Sequence, residues 1–213
     1  MLCKVRENLG DFNMKIHEKN YERLKRLKVE CSQCSGLCCT ALFFSKIDGF
    51  PENKIAGKPC SKLQNNYMCK IHNELDKRNM KGCIGYDCFG AGQHVTQFIY
   101  KGETWRTSQS KAEEIFNVFT IIFQLYQIRY FLEESRIIIS AKKLRSEIEN
   151  LINENEEFCN STPESVLDID IENYRNKVNS TLKRVSDYIK ICFKSGDNKI
   201  GGNLFGRNSK IEI

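Results

Sequence analysis

Cysteine content is the feature that most constrains how this chain can fold. The sequence has 213 residues and 11 cysteines, of which Cys3, Cys159 and Cys192 stand alone. The other eight are clustered: Cys31, Cys34, Cys38, Cys39, Cys60, Cys69, Cys83 and Cys88. Glycines and prolines interrupt the segment 31–92 that contains them, and such residues break long helices. A segment so rich in loops needs cross-links, and bound metal supplies them.

The spacing of the clustered cysteines is typical of metal ligands. Cys31 and Cys34 have the C-x2-C spacing with which two thiolates chelate one ion from a single turn. The remaining cysteines extend the pattern into three ligand groups: residues 31–39, 60–72 and 83–88. Thiolates are soft ligands that select zinc, Cu(I) or iron–sulfur clusters. Eight of them suffice for two four-thiolate sites, or for one cluster with spare cysteines. His72 and His94 are candidates to replace a thiolate.

Two other uses of the cysteines stay open, structural disulfides and a redox relay of thiols. Disulfides persist in oxidising compartments, whereas the N-terminus lacks the apolar region of a secretory signal. The most apolar stretch, 115–128, is interrupted by Asn117, Gln124 and Gln127, which makes it too short and too polar to predict a membrane span. We therefore expect a cytoplasmic, reducing location, where such a cluster favours metal binding.

The adjacent pair Cys38 and Cys39 restricts how ligands are shared. Neighbouring side chains diverge, so the pair is expected to serve two nearby centres, or one thiolate binds while the other packs. A vicinal disulfide between them would be strained. Nucleophilic thiolate chemistry would need a base such as His72 or His94 nearby.

Apolar residues at helical spacing predict an α-helical bundle over residues 108–194. The first of its three helices carries an aromatic stripe: Phe116, Phe119, Phe123, Tyr126 and Tyr130. Aromatic residues at this spacing are typical of a core. A helix that is apolar around so much of its circumference is expected to be buried, with helices on more than one side. The next stripe begins with Ile137 and Ala141 and continues to about Glu157.

The whole chain is thus predicted to be mainly α, with a loop-rich metal-binding cysteine module packed on an α-helical bundle. The predicted division has four parts: a surface helix at 12–29 within residues 1–30, the cysteine module at 31–107, the bundle at 108–194 and a tail at 195–213. Two local signals accompany it. Lys101-Gly102 predicts a hairpin over 98–106. Thr162-Pro163-Glu164 predicts the start of the last helix, with Ser161 and Glu164 as a capping box.

The cysteine motifs resemble a known family. The segments CSQCSGLCC at 31–39, KPC at 58–60, CKIH at 69–72 and GCIGYDCFGAGQ at 82–93 are similar to the YkgJ-type cysteine-cluster family, described as zinc- or iron-chelating. The resemblance implies that the eight clustered cysteines are metal ligands, and it places iron–sulfur beside zinc as a cofactor. The sequence departs from the family pattern at His72, where the family usually has Tyr, and lacks the Arg-Pro before the last cysteines.

The stretch from about position 31 to 206 is also similar to the N-terminal region of bacterial pentapeptide-repeat proteins. In those proteins GLCC and YDCFGAGQ segments precede a helical region and a run of repeats. The sequence GNLFG at 202–206 resembles the start of such repeats. Stacked repeats stabilise only each other, and less than one coil is present here. Functions that belong to the repeats are therefore not implied.

Three functions are compatible with these features. The first is a zinc- or iron-binding protein, iron–sulfur included, that acts as an accessory and meets a protein partner through YDCFGAGQ and the adjacent hairpin. The second is an iron–sulfur redox or accessory enzyme in peptide or protein modification, with Asp48, Glu74 and Asp87 as acid–base candidates that are more typical of solvated loops. The third is a zinc-dependent nucleic-acid-binding module. The net charge of +6 permits it, but no basic stripe accompanies the cysteines, so nucleic acid is not expected.

Overall fold

The computed structural model describes residues 22–194, and this part of the chain contains no β-strand. The prediction of a mainly α protein is therefore confirmed. The helices are α1 (Leu37–Ala41), α2 (Lys81–Ile84), α3 (Ala91–His94), α4 (Ala112–Ile138), α5 (Lys142–Cys159), α6 (Pro163–Leu167) and α7 (Ile171–Lys194). Residues 22–25 are also helical. Between α1 and α2 the chain forms turns and two isolated β-bridges, Phe44 with Lys54 and Leu63 with Cys69.

Helix α4 is the centre of the core. It packs against α1, α3, α5, α6 and α7, and Phe119, Ile122, Leu125 and Leu132 are fully buried. The aromatic stripe lies in this core, since Phe119 and Tyr126 are buried and the other three rings pack against it. The expectation of a helix covered on more than one side is confirmed. The width of its apolar surface explains this position.

The segment Gln109–Ile138 is long and apolar enough to cross a membrane, by length and composition alone. It exceeds the apolar stretch recognised in the sequence because the helix continues through Glu133 and Arg136, which are buried. Core helices and membrane spans share this length and composition. Here other helices of the same chain cover much of the segment, so it is weak evidence for a span.

The capping box predicted at Ser161 is wrong in its register. Thr162 is the N-cap of α6, and its side chain accepts a hydrogen bond from the Ser165 N–H. Ser161 instead donates to the carbonyl of Phe158 at the end of α5. Pro163 explains the shift, because proline favours the first helical position and leaves the residue before it as the cap.

Two other helix boundaries differ from the predictions. Ile137 lies in the last turn of α4 and not in the following helix, because the chain becomes extended at Ile139. The last long helix of the bundle starts later than expected. The predicted start near Pro163 begins only the short helix α6, and α7 starts separately at Ile171. The carboxylate of Asp170 accepts from the Asn173 N–H and so caps α7.

The hairpin predicted over 98–106 does not form. Residues Val95–Ile99 continue α3 as a π-helical turn, in which the Tyr100 N–H donates to the Val95 carbonyl at 3.0 Å. Lys101 and Gly102 follow with positive φ values of 50° and 86°. Residues in this conformation end helices as well as forming hairpin turns, and here they end one.

The cysteine-rich segment lies against the same core as the bundle. Helices α1 and α3 pack on α4, and Leu37, Ala91 and Val95 are fully buried. The core cluster extends from Leu27 to Val185, so it crosses the predicted boundary at 107. A separate small apolar cluster lies among the turns: Phe50, Ile71 and Met80.

Two predicted parts lie partly or wholly outside the described residues. Of the helix predicted at 12–29, positions 22–25 are helical and Leu27 is buried in the core. The earlier positions, Cys3 and the tail with its repeat-like sequence are outside the range that the structure describes.

Candidate functional site

Most of the clustered cysteines line one cavity of about 270 Å³. The lining thiols are Cys31, Cys34, Cys38, Cys39, Cys69, Cys83 and Cys88. Cys60 is not a lining residue, but its N–H donates to the Cys39 carbonyl at 2.9 Å. Phe119 of α4 also lines the cavity. The three ligand groups of the sequence are therefore brought together beside the central helix.

Residues 34–36 and 88–90 form the same local structure, a Cys-x-Gly turn that starts a short helix. Gly36 is the N-cap of α1 with φ of 71°, and Gly90 is the N-cap of α3 with φ of 90°. Glycine adopts positive φ readily, whereas other residues are strained there. The two turns place both cysteines at the starts of helices that pack on α4.

Backbone N–H groups of these turns donate to the two thiols. The donors are Leu37 and Gly36 for Cys34, and Gly92 and Gly90 for Cys88. Burial raises the pKa of Cys34 to about 11 and also raises the pKa of Cys88. The N–H groups oppose this rise because a hydrogen bond to sulfur favours the thiolate.

Close packing fixes the turn that contains Cys34. A Cβ atom built at Gly92 would lie 2.6 Å from Cys34 Sγ, so glycine is needed for α3 to approach the thiol. The Trp105 indole N–H donates to the Ser35 carbonyl at 2.8 Å. The Ser35 N–H donates to Thr96 Oγ1 at 3.1 Å. Residues between α3 and α4 thus support the first cysteine motif.

The opposite side of the cavity is built from turns around the small apolar cluster. The Leu63 N–H donates to the Cys60 carbonyl at 3.0 Å, and Leu63 forms a β-bridge with Cys69. Cys69 and Cys83 pack against the small apolar cluster. Burial raises the pKa of Cys83 to about 11, and neighbouring thiols add to the rise. These cysteines are therefore positioned by turns and not by long helices.

Cys38 and Cys39 are adjacent residues of α1, and both line the cavity. Their Sγ atoms are 3.9 Å apart, with Cys38 as the donor, and this contact raises the pKa of Cys38 and lowers that of Cys39. The ammonium group of Lys54 also lowers the pKa of Cys39. Carbonyl oxygens of Thr40 and Lys58 accept hydrogen bonds from Lys54 Nζ at 2.9 and 2.8 Å. A fixed cation therefore lies close to the Cys39 thiol.

Tyr86 contributes a buried hydroxyl to this region. Tyr86 lines the cavity, its ring packs on Phe123, and the hydroxyl has no hydrogen-bond partner among the described residues. Burial raises the Tyr86 pKa far above its usual value, and the Cys38, Cys88 and Cys34 thiols add to the rise. The phenol is therefore protonated and is a donor for which the described residues provide no acceptor.

The two candidate histidines lie in different places. His72 is exposed and lines the cavity. His94 is buried away from it, where Nε2 donates to the Cys159 carbonyl at 2.8 Å and the ring packs against Phe98 and Tyr126. Burial lowers the pKa of His94. The structure thus brings His72 to the cysteines, and His94 serves the contact between α3 and the bundle.

The three acidic candidates are also separated. Asp48 lines the cavity. Asp87 accepts a hydrogen bond from the Phe89 N–H at 2.7 Å, and Glu74 pairs with Arg78 on the surface. Asp87 and Glu74 therefore have the turn-forming and solvated roles that are common for such residues.

The thiols of the cavity are free and are not drawn together around one point. Within residues 22–194 no group of three or more Cys, His, Asp or Glu side chains is placed to hold a metal ion. No disulfide joins the eight clustered cysteines, all of which lie in this range. Ligation therefore requires the thiols to move towards a common centre.

Three supporting residues were not identified from the sequence: Tyr86, Gln93 and Trp105. Gln93 donates to the Lys28 carbonyl at 2.9 Å and accepts from the Glu30 N–H at 2.6 Å, which fixes the chain that leads into the first cysteine. Tyr86 and Gln93 belong to the motif GCIGYDCFGAGQ. The motif itself is thus the signal that could have identified them, because its residues other than cysteine also serve the site.

Comparison with known proteins gives one similarity. The chain is 37% identical over 164 residues to the uncharacterized protein YybG of Bacillus subtilis (strain 168). The aligned part covers 77% of this chain and 59% of YybG, so the chain spans less than two thirds of that relative. No protein-family model and no solved structure matches the chain. The resemblance to YkgJ-type and pentapeptide-repeat proteins therefore stays a prediction.

Proposed function

We propose that this protein binds zinc or iron, as metal ions or as an iron–sulfur cluster, through its eight clustered cysteines. The observation that carries the proposal is the convergence of seven free thiols from three separate sequence groups on one cavity. Thiolates in such number bind soft or borderline metals. In a reducing compartment the thiols stay available for this purpose.

The surroundings of the thiols suit a site that becomes negatively charged. Four thiolates outweigh the charge of a divalent ion, so the loaded site needs donors around it. The backbone N–H groups at Cys34 and Cys88 supply some of these, Lys54 supplies a positive charge, and Tyr86 offers a hydroxyl without another acceptor. These groups stabilise thiolates more than thiols.

Metal analysis of the full chain, purified without oxygen, tests the proposal. We expect zinc or iron in the purified protein, and sulfide together with the iron if a cluster is present. Cys34→Ser with Cys69→Ser is expected to reduce the metal content strongly. Cys159→Ser is the matched control, because Cys159 is buried in the bundle away from the cavity. A wild-type protein that contains neither metal after this purification, and takes up neither when zinc or iron is added under reducing conditions, would overturn the proposal.

A second candidate is an iron–sulfur redox or accessory enzyme in peptide or protein modification. The observation that favours it is the presence of His72 and Asp48 in the lining of the same cavity, since redox or acid–base chemistry uses groups other than the structural ligands. Reversible reduction and reoxidation of the purified protein would support this candidate. A colourless protein filled with zinc would eliminate it in its cluster form.

The proposed role is that of an accessory protein with a protein partner, and not of a nucleic-acid binder. Large apolar side chains around the cysteine segment are exposed: Phe43, Ile47, Ile55 and Ile84. By contrast, Gly90, Ala91 and Gly92 are buried, and the hairpin is absent. Of the surface suggested from the sequence, only part is accessible, since Asp87 and Phe98 are exposed. A gel shift that weakens with salt would instead favour nucleic acid.

A further inference from the structure

We propose that the eight cysteines form two four-thiolate metal sites, and that the boundary between the sites passes between Cys38 and Cys39. The first site, the helix set, contains Cys31, Cys34, Cys38 and Cys88. The second site, the loop set, contains Cys39, Cys60, Cys69 and Cys83. This division rests on the proposed metal-binding function.

The apolar surroundings of the thiols separate the two sets. Cys34 and Cys38 pack against the main core, and Cys88 is part of it. Cys69 and Cys83 pack against the small apolar cluster. Because the two clusters are separate, three cysteines of the helix set and two of the loop set are attached to different groups of buried side chains.

Backbone structure gives the same division. Both Cys-x-Gly turns of the helix set start helices that pack on α4. Gly92 of α3 lies so close to Cys34 that a Cβ atom built on it would be 2.6 Å from Sγ. In the loop set the Cys60 N–H donates to the Cys39 carbonyl, and the turn from Cys60 leads to the β-bridge at Cys69. Each set is therefore internally linked.

Local contacts assign Cys31 to the helix set. The Cys34 N–H donates to the Cys31 carbonyl at 3.2 Å, and residues Cys31–Gln33 form a short 3-10 helix that packs against α3. Because α3 begins directly after the turn at Cys88, Cys31 is attached to the same part of the fold as Cys34 and Cys88.

Helix geometry explains how adjacent cysteines serve different sites. Cys38 and Cys39 are consecutive residues of α1, and consecutive side chains on an α-helix point about 100° apart. Their Sγ atoms are 3.9 Å apart. This separation would also suit two ligands of a single ion, so the pair is the most decisive place to test the division.

The groups that offset negative charge also differ between the sets. Amide N–H groups at Cys34 and Cys88 serve the helix set, and the Tyr86 hydroxyl lies near its thiols. Lys54 serves mainly the loop set, because Cys60 and Cys39 act more strongly on its ammonium group than Cys38 does. Each thiol that binds metal releases its proton to solvent, so each site needs its own source of compensation.

Cadmium-113 NMR of the full chain, loaded with ¹¹³Cd²⁺ under reducing conditions, tests the division. We expect the wild type to bind two Cd²⁺ ions and to give two resonances typical of thiolate ligation. Cys34→Ser and Cys38→Ser are expected to remove or shift one resonance. Cys39→Ser and Cys69→Ser are expected to remove or shift the other. Cys159→Ser should leave both unchanged.

Other outcomes distinguish a failure of the metal-binding proposal from a failure of the two-site division. Failure of the wild type to bind Cd²⁺ would contradict metal binding itself. One bound ion, a single resonance, or the same resonance altered by Cys38→Ser and Cys39→Ser would overturn the division and leave metal binding intact. If a serine variant fails to fold, Cys34→His and Cys69→His retain a ligand. Each should then shift a different resonance, and a shift of both resonances by either variant would overturn the division.

Discussion

At the scale of single residues, Tyr86 has the property that most directly links structure to the proposed site. Its hydroxyl is buried in the cysteine cavity without a hydrogen-bond partner among the described residues. A buried donor left without an acceptor costs about 1–3 kcal/mol. A metal-bound thiolate would accept the hydrogen bond, so the hydroxyl is expected to destabilise the metal-free protein and to stabilise the loaded one.

Tyr86→Phe is therefore expected to have opposite effects in the two states. It should leave the free energy of unfolding of the metal-free protein unchanged or raise it, and it should weaken metal affinity about 10- to 100-fold, as loss of a hydrogen bond to a ligand does. Denaturant titration and competition with a chelator measure the two quantities. Tyr67→Phe is the matched control, because Tyr67 lines the same cavity while its hydroxyl is bonded to Thr104 at 2.8 Å.

The control should show the reverse pattern, a less stable metal-free protein with unchanged affinity. Equal losses of affinity in Tyr86→Phe and Tyr67→Phe would contradict the role assigned to Tyr86, since both variants would then act only through packing.

His94 makes the stability of the bundle dependent on pH. Burial lowers its pKa, and Arg129 also disfavours its charged form. As pH falls through the usual histidine pKa of about 6.5, the unfolded chain gains a proton at this position and the folded chain does not. The unfolded state then binds more protons, so the free energy of unfolding decreases as the pH is lowered.

His94→Gln should remove this contribution. The stability difference between wild type and variant is expected to be largest at about pH 7.5 and to shrink towards about pH 5.5, on either side of the usual pKa. Chemical denaturation at several pH values measures it. His72→Gln is the control, because His72 is exposed. A difference that does not vary with pH would contradict this assignment.

At the scale of helices, a buried ionic network joins α4 to α5. Arg136 Nε donates to Glu133 at 2.9 Å within α4, and Arg136 also lies 3.3 Å from Glu149 of α5. The Glu133 side chain is 1% exposed. Arg23 extends the network from the N-terminal side, 3.3 Å from Glu149. This explains how charged residues are accommodated inside an otherwise apolar helix.

Glu133→Ala is expected to lower the free energy of unfolding by about 3–5 kcal/mol, because it removes one carboxylate of a buried ion pair, 2.9 Å from Arg136 Nε, and breaking such a pair is costly. Urea denaturation measures the loss. Glu154→Ala removes the partner of Lys177 on the surface and should cost at most about 1 kcal/mol. The double change Glu133→Leu with Arg136→Met should recover much of the stability, since no unpaired charge remains. Equal costs for Glu133→Ala and Glu154→Ala would refute the importance of the network.

At the scale of the whole molecule, the structure combines a well-packed helical part with a turn-rich segment between α1 and α2. Metal binding is expected to stabilise the folded protein in proportion to the logarithm of metal concentration, by about 2.7 kcal/mol when free metal is 100-fold above the dissociation constant. Because the proposed loop-set ligands lie in or beside the turns, the gain in stability on metal binding should be concentrated in this turn-rich segment.

Removal of metal by a chelator is therefore expected to expose residues 42–80 to protease before the bundle. Trypsin can cleave this segment at Lys46, Lys54, Lys62 and Lys70. Limited proteolysis followed by mass spectrometry identifies the first cuts with and without metal. First cuts within α4–α7, or an unchanged cleavage pattern after chelation, would contradict this view of where the metal acts.

The sequence by itself determined the helical class, the buried aromatic stripe of α4 and the cysteine groups that converge on one cavity. These follow from local spacing, because helix periodicity and ligand motifs are properties of nearby residues. Helix ends were less certain, since Ser161 and Thr162 can both cap a helix and the position of Pro163 decides between them. The Lys101-Gly102 pair was misassigned because positive φ suits both a hairpin and a helix end.

Only the tertiary structure decided which distant groups meet. It placed His72 in the cysteine cavity and His94 against Cys159, brought the Tyr86 hydroxyl among the thiols, and set the Cys38 and Cys39 sulfur atoms 3.9 Å apart. Sequence spacing could not reveal these relations, because they depend on how α1 and α3 pack on α4 and on how the turns fold around the small apolar cluster. Contacts between residues far apart in the chain arise from packing, which local patterns do not specify.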